Sequence, residues 1–179
     1  MKSKRSIMNK VKIAAALLFF TSLVQAQDSD QYTQQLHQVV EDFRTTIINQ
    51  NDEEKFYNLF LHDSVTWAAI VTGKFKEVVL AQKPDFKFSS SDYKSFFKIL
   101  ETGDEEKFYN VQIDVRNEFA TISFDYTFNK KEVIQNWGTE YWSLILVNDS
   151  WKITSVTWSM NMEKVEQCPF VSDDYFVLK

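Results

Sequence analysis

The run from Phe108 to Ser159 limits what this chain can fold into. Within Phe108–Val115, the residues Tyr109, Val111, Ile113 and Val115 alternate with Phe108, Asn110, Gln112 and Asp114. This two-residue period predicts a strand with the Tyr109 side buried. Arg116-Asn117-Glu118 is short and polar, which suits a hairpin connection. A second strand, Phe119–Phe128, gathers Ala120, Ile122, Phe124, Tyr126 and Phe128 on one face and Thr121, Ser123, Asp125 and Thr127 on the other. Asn129-Lys130-Lys131 reads as a turn. Asn136–Val147 follows, with Trp142, Leu144 and Leu146 opposed to Tyr141, Ser143 and Ile145. Asn148-Asp149-Ser150 turns the chain into Trp151–Met160, which is rich in aromatic and β-branched residues. Links this short cannot cross over, so the four strands form an antiparallel meander. The last two strands are partly apolar on both faces. That pattern predicts a curved sheet with helices inside the curve and a partner outside.

The preceding half reads as the helices that such a sheet would wrap. Ser29 or Asp30 caps a helix running to about Asn49, with Leu36, Val39, Val40, Phe43, Ile47 and Ile48 as its apolar stripe. Asn51-Asp52 caps a short helix whose first turn holds Glu53 and Glu54, where the helix dipole favours acids. Phe56, Leu59 and Phe60 form its inner side, and His62-Asp63-Ser64 ends it. Val65–Val71 is a strand ended by Gly73. Lys74–Gln82 fits strand or helix, and Lys83–Ser91 is a loop containing Pro84. Ser89, Ser90 or Ser91 caps a further helix to about Leu100, with Tyr93, Phe96, Phe97 and Leu100 inward and Thr102-Gly103 as its stop.

One heptad, Asp-Glu-Glu-Lys-Phe-Tyr-Asn, occurs twice, at Asp52–Asn58 and Asp104–Asn110. The flanking residues diverge, so this is no structural repeat. Flanking periodicity predicts one copy helical and the other extended.

The first 26 residues have the three parts of an export signal: a basic start (Lys2, Lys4, Arg5, Lys10, Lys12), the apolar run Val11–Phe20, and Val24-Gln25-Ala26 as a cleavage site. The expected division is therefore a signal peptide at 1–26, one domain at 27–160, and an acidic, aromatic tail at 161–179 packed on or near it. The expected location is periplasmic or extracellular. The net charge of −5 becomes more negative once the basic start is removed. An acidic surface excludes nucleic acid as a partner, and no basic amphipathic stretch suggests a membrane once the signal is gone. The single cysteine, Cys168, can form no internal disulfide and no multi-cysteine metal site. The fold must then rest on its core, for which sixteen Phe, seven Tyr and five Trp supply ample apolar surface.

The order helix, short helix, strand, helix and four antiparallel strands, over about Tyr32–Met160, resembles the nuclear transport factor 2-like fold shared with SnoaL-type cyclases and ketosteroid isomerase. The sharpest part is Asn136-Trp137-Gly138-Thr139-Glu140-Tyr141-Trp142-Ser143-Leu144 followed by Trp151-Lys152-Ile153-Thr154-Ser155-Val156-Thr157-Trp158-Ser159, which is similar to secreted bacterial members of that superfamily. The resemblance implies an α+β, cystatin-like cone: a curved antiparallel sheet around N-terminal helices, with a pocket at the open end. It makes Phe56, Phe60, Trp67, Tyr126, Trp142 and Trp158 candidates for the pocket wall. The same residue types also serve as plain core.

The resemblance does not carry over a catalytic residue. The isomerase has a carboxylate base just after its first strand, and Trp67-Ala68-Ala69-Ile70 offers none here. His37 flanks the stripe of the first helix, His62-Asp63 suits a turn, and Asp114 and Asp125 lie on polar faces. Isolated histidines give no metal spacing. Three glycines, Gly73, Gly103 and Gly138, make no phosphate loop, and no serine sits in a nucleophile elbow. No cofactor, metal or catalytic set is therefore expected. Three functions stay open. One is a carrier of a small apolar or aromatic molecule in the cone. Another is a SnoaL- or dehydratase-type enzyme with a non-standard acid–base set. The third is a module that forms a homodimer through the outer sheet face.

Overall fold

The computed structural model describes residues 30–50, 52–170 and 175–177. The expected export signal lies outside them. Helix α1 covers residues 30–49 and buries Leu36, Val40, Phe43 and Ile47. Val39 is half-buried against the same core, while Ile48, at the margin of the expected stripe, is exposed. Helix α2 (Glu53–Tyr57) starts at Asp52, whose carboxylate accepts the Lys55 backbone N–H at 2.8 Å. Strand β1 (Thr66–Val71), helix α3 (Gly73–Gln82), the two-residue strand β2 (Ser89–Ser90) and helix α4 (Tyr93–Lys98) follow. The segment 74–82, ambiguous in sequence, is thus helical. The cap of α4 is Asp92, which accepts from Ser95 N at 2.8 Å. Of the serines expected there, Ser89 and Ser90 are taken up by β2, which pairs with Ala69 and Ala68, and Ser91 N donates to Trp67 O at 3.1 Å.

The meander is β3 (Asp104–Arg116), β4 (Phe119–Lys130), β5 (Val133–Val147) and β6 (Ser150–Met162). Its strands pair antiparallel in chain order. The sheet order is β2-β1-β6-β5-β4-β3. One pairing departs from the expected all-antiparallel sheet: β1 runs parallel to β6, from Thr66 opposite Ser155 to Val71 opposite Met160. A parallel neighbour needs a long crossover, and α3, α4 and four strands intervene between the two. The fold is therefore an α+β cone with a mixed, curved sheet. Its concave side holds α1, with the Phe43 ring 4.7 Å from that of Trp142 and 6.2 Å from that of Phe108.

Two bulges change which residues face inward. In β3 the pairing shifts between Tyr109 and Gln112, and Asn110 takes φ 53°, a left-handed conformation that Asn tolerates better than most residues. Phe108 is consequently fully buried inside, while Val111, Ile113 and Val115 pack on the core beyond the kink. Tyr109, expected on their face, points outward and is buried instead against Phe170 and Tyr175, at ring distances of 5.6 and 6.4 Å. In β6 a second shift skips Thr154, so Ile153 and Val156 both reach the core. Thr127, expected on the polar face of β4, is buried and accepts from Asn129 Nδ2 at 3.1 Å.

The tail folds back over the outer face of the sheet. The Trp137 indole donates to Glu166 O at 2.8 Å, and Phe170 lies edge-on to Trp137 at 5.7 Å. Phe176 N then donates to Phe108 O at 2.7 Å, alongside the edge strand β3, and its ring meets His37 of α1 at 5.5 Å.

Candidate functional site

The inward phase of the meander carries charge into the cone. In β3, residues two apart share a face, so Glu106 follows Phe108 inward. In β5 the same rule sends Asn136, Gly138 and Glu140 inward with Trp142. Tyr126 of β4 sits between them, paired with Phe108 on one side and Gly138 on the other. These strands line a cavity of about 250 Å³. Its apolar wall is Phe43, Trp67, Phe96, Ile99, Phe128, Trp158 and Met160, and its polar groups are Glu106, Tyr126, Asn136 and Glu140.

Both glutamates are buried, at 6% and 5% exposure. That is a costly place for carboxylates, and burial acts by favouring the neutral form. Burial, with the charge of Glu140 adding to it, holds the Glu106 carboxyl well above the usual carboxylate range. Burial also pushes Glu140 up to about 7, against the opposing pull of the Trp142 indole, which donates to its Oε1 at 2.6 Å. Two such carboxyls buried in one pocket cannot both ionise easily, so the pair holds a proton near neutral pH. Glu106 Oε2 has no hydrogen-bond partner among the described residues. The Tyr126 hydroxyl donates to Ser159 O at 3.2 Å, and burial together with both carboxylates keeps it a neutral phenol.

That Ser159 carbonyl is accommodated by Gly138. A Cβ at position 138 would overlap the Ser159 carbonyl oxygen, so the close approach of β5 and β6 behind the cavity requires the absence of a side chain.

Three of the six aromatic candidates, Trp67, Tyr126 and Trp158, line this cavity. The other three do not. Phe56 stacks on Phe97 at 4.9 Å and Phe60 on Tyr93 at 3.9 Å, both beneath α4. Trp142 lies one layer behind the wall and acts on the site through Glu140. His62 Nδ1 accepts from Ser64 N at 3.1 Å within its turn. Asp63 accepts from Tyr93 OH at 3.1 Å and pairs with Lys94 at 2.8 Å. Asp125 bridges strands on the outer face, accepting from Asn110 Nδ2 at 2.8 Å and Thr139 Oγ1 at 2.9 Å.

Glu106 and Glu140 are not among the residues the sequence singles out. Glu140 was findable, since it shares the phase of Trp142 and Leu144, and an acid on an apolar face is informative. Glu106 was harder to find. It precedes the clear alternation of β3, inside the repeated heptad, and the bulge at Asn110 puts it out of phase with Val111 and Ile113.

No protein-family model matches the chain, and no curated protein matches its sequence. Solved structures do match its fold. An NTF2-like protein with a cystatin-like fold from Novosphingobium aromaticivorans aligns with a TM-score of 0.56 at 10% identity, covering 78% of this chain and 88% of that one. An NTF2-like protein of unknown function from Shewanella baltica aligns at 0.53 and 12% identity, covering 73% and 94%. A proposed dehydratase of the NTF2-like family from Streptomyces avermitilis aligns at 0.52 and 14%, covering 75% and 99%. The chain therefore has the NTF2-like, cystatin-like fold, as the order of its elements implied.

Proposed function

We propose that the cone binds a small, largely apolar or aromatic molecule bearing a hydroxyl or carbonyl group, and that Glu106 and Glu140 move protons on it. The observation that carries this reading is the pair of buried carboxyls in a largely apolar cavity, one with an oxygen left unpartnered among the described residues. Glu140, titrating at about 7, is available as a base at neutral pH, where a general base is most effective. Glu106 keeps its proton and serves as the acid. Trp142 fixes the orientation of Glu140, and the neutral Tyr126 offers its hydroxyl oxygen beside them. Removal of a proton by one carboxyl and delivery by the other is the chemistry of dehydration and of double-bond migration. The dehydratase described for the S. avermitilis protein of the same fold is consistent with that class.

The test is a panel of small aromatic and alicyclic β-hydroxy ketones, followed by the absorbance of the conjugated product, with quenching of tryptophan fluorescence reporting occupancy beside Trp67 and Trp158. Glu140→Gln and Glu106→Gln are expected to keep binding and lose turnover by about a hundredfold or more. Undiminished turnover in both variants would remove the acid–base assignment and leave a carrier.

A second reading concerns the outer sheet face. Ile70, Phe88 and Tyr141 are more than half exposed there and surround a shallow apolar hollow floored by Ala68 and Thr157. We propose that this face pairs with a second copy in the exported protein. Sedimentation of the wild type and of Ile70→Asp/Tyr141→Asp tests it, with a monomeric wild type the outcome against it.

A further inference from the structure

Helix α3 buries no residue completely, although it carries Phe75, Val78, Val79, Leu80 and Ala81. A ten-residue helix of that composition ordinarily closes on the sheet beside it. Here it stands off, leaving an apolar cavity of about 450 Å³ between itself and β1. This volume lies within the roughly 300–1,000 Å³ of pockets that enclose small organic ligands. Ala69 and Val71 form its floor, Phe75 and Val79 its helical wall and Phe86 one end. Among the described residues, it shares only Met160 with the Glu106–Glu140 cavity.

Two lysines, Lys83 and Lys164, line this cavity. Neither forms an ion pair among the described residues. The acids next to Lys164 in sequence are engaged elsewhere. Glu163 accepts from Cys168 N at 2.8 Å, while Glu166 accepts from Lys74 N at 3.1 Å and lies 3.9 Å from its ammonium. An acidic chain thus places two unmatched cations against an apolar hollow.

We propose that this hollow is a second small-molecule site, taking an amphiphilic carboxylate whose hydrocarbon part lies between α3 and β1 and whose carboxylate meets Lys83 and Lys164. Lysine suits the task because its methylene stem packs along an apolar wall while the ammonium stays at the mouth. A singly charged head group fits better than a phosphate. Lys83 follows the carbonyl end of α3, which disfavours dense negative charge, and the amide end is already occupied by Glu166. The proposal does not rest on the acid–base reading of the other cavity.

The experiment is calorimetric titration of the full chain with decanoate, decanol and decyltrimethylammonium, each below its micellar range. Decanoate is expected to bind about tenfold more tightly than decanol, and the cation not to bind. Lys83→Glu/Lys164→Glu changes two residues at the cavity mouth and is expected to lower decanoate affinity to that of decanol or below. Val79→Trp fills the hollow and is expected to abolish binding of both, whereas Glu106→Gln leaves both unchanged. Absence of decanoate binding overturns the proposal. So does equal affinity for acid and alcohol, survival of binding in Val79→Trp, or its loss in Glu106→Gln.

Discussion

The two copies of Asp-Glu-Glu-Lys-Phe-Tyr-Asn make a controlled comparison inside one molecule. The first forms α2 and the second opens β3. In both copies the phenylalanine, Phe56 or Phe108, is fully buried, so each copy is anchored by the same ring. What changes is the company that ring keeps. In a helix, a residue two positions earlier points roughly to the opposite side, and Glu54 is exposed. In a strand it shares the face, and Glu106 enters the cavity. The aspartates diverge as well. Asp52 caps a helix in solvent, whereas Asp104 is buried, accepting from Glu101 N at 2.8 Å. A surface acid and a candidate catalytic acid thus differ in backbone period alone.

The largest effects expected from breaking this comparison are on its common anchor. Phe56→Ala and Phe108→Ala should each cost about 3–5 kcal/mol, measured by urea unfolding, with similar values despite the different secondary structure. A large disparity would show that one ring is the lesser support.

Next comes the glutamate that distinguishes the second copy, Glu106, together with Glu140. In the folded state Glu140 keeps its proton to about pH 7, against an ordinary value of 4.5. Between those values the folded state binds the additional proton, so stability falls as pH rises. The loss approaches about 3 kcal/mol above pH 7, and Glu106 acts in the same direction. Thermal melts of the wild type should therefore drop between pH 5 and pH 8 more than those of Glu140→Gln or Glu106→Gln, and both variants should exceed the wild type at pH 8. A wild-type curve parallel to the variants would mean that the carboxyls are solvated.

Smaller effects sharpen the comparison at its ends. Asp52→Ala removes a helix cap and should cost about 1 kcal/mol. Asn110→Ala places a less tolerant residue at φ 53° and removes the hydrogen bond to Asp125, for about 1–2 kcal/mol. Asn58→Ala, at φ −68°, should be close to neutral. Chemical denaturation resolves all three.

Much of this architecture could be read from the residues. Alternation in Phe119–Phe128, where burial of one face fixes both period and register, the aromatic and β-branched content of Trp151–Met160, and the polar links between strands specify the meander. The stripe Leu36–Ile47 specifies α1 for the same reason. The parallel β1–β6 pair was not legible, since Thr66–Val71 says nothing of which edge it joins. The cavity was legible only as aromatic content. Phe56, Phe60 and Trp67 look alike in sequence, and only packing separates the two that stack under α4 from the one that borders empty space. The acid pair was the least legible part. Its members lie 34 positions apart, and one is displaced from its neighbours' phase by a bulge, which requires only an Asn able to adopt a left-handed turn.

Gly138 joins these threads. The strand beneath it can approach only because position 138 ends at hydrogen, and that approach brings Ser159 within reach of the Tyr126 hydroxyl. On either side of Ser159 in the chain are Trp158, a wall of the acidic chamber, and Met160, the partition between the two chambers. A single added methyl would therefore be felt as a change in the outline of both hollows at once, though it would touch neither of them directly.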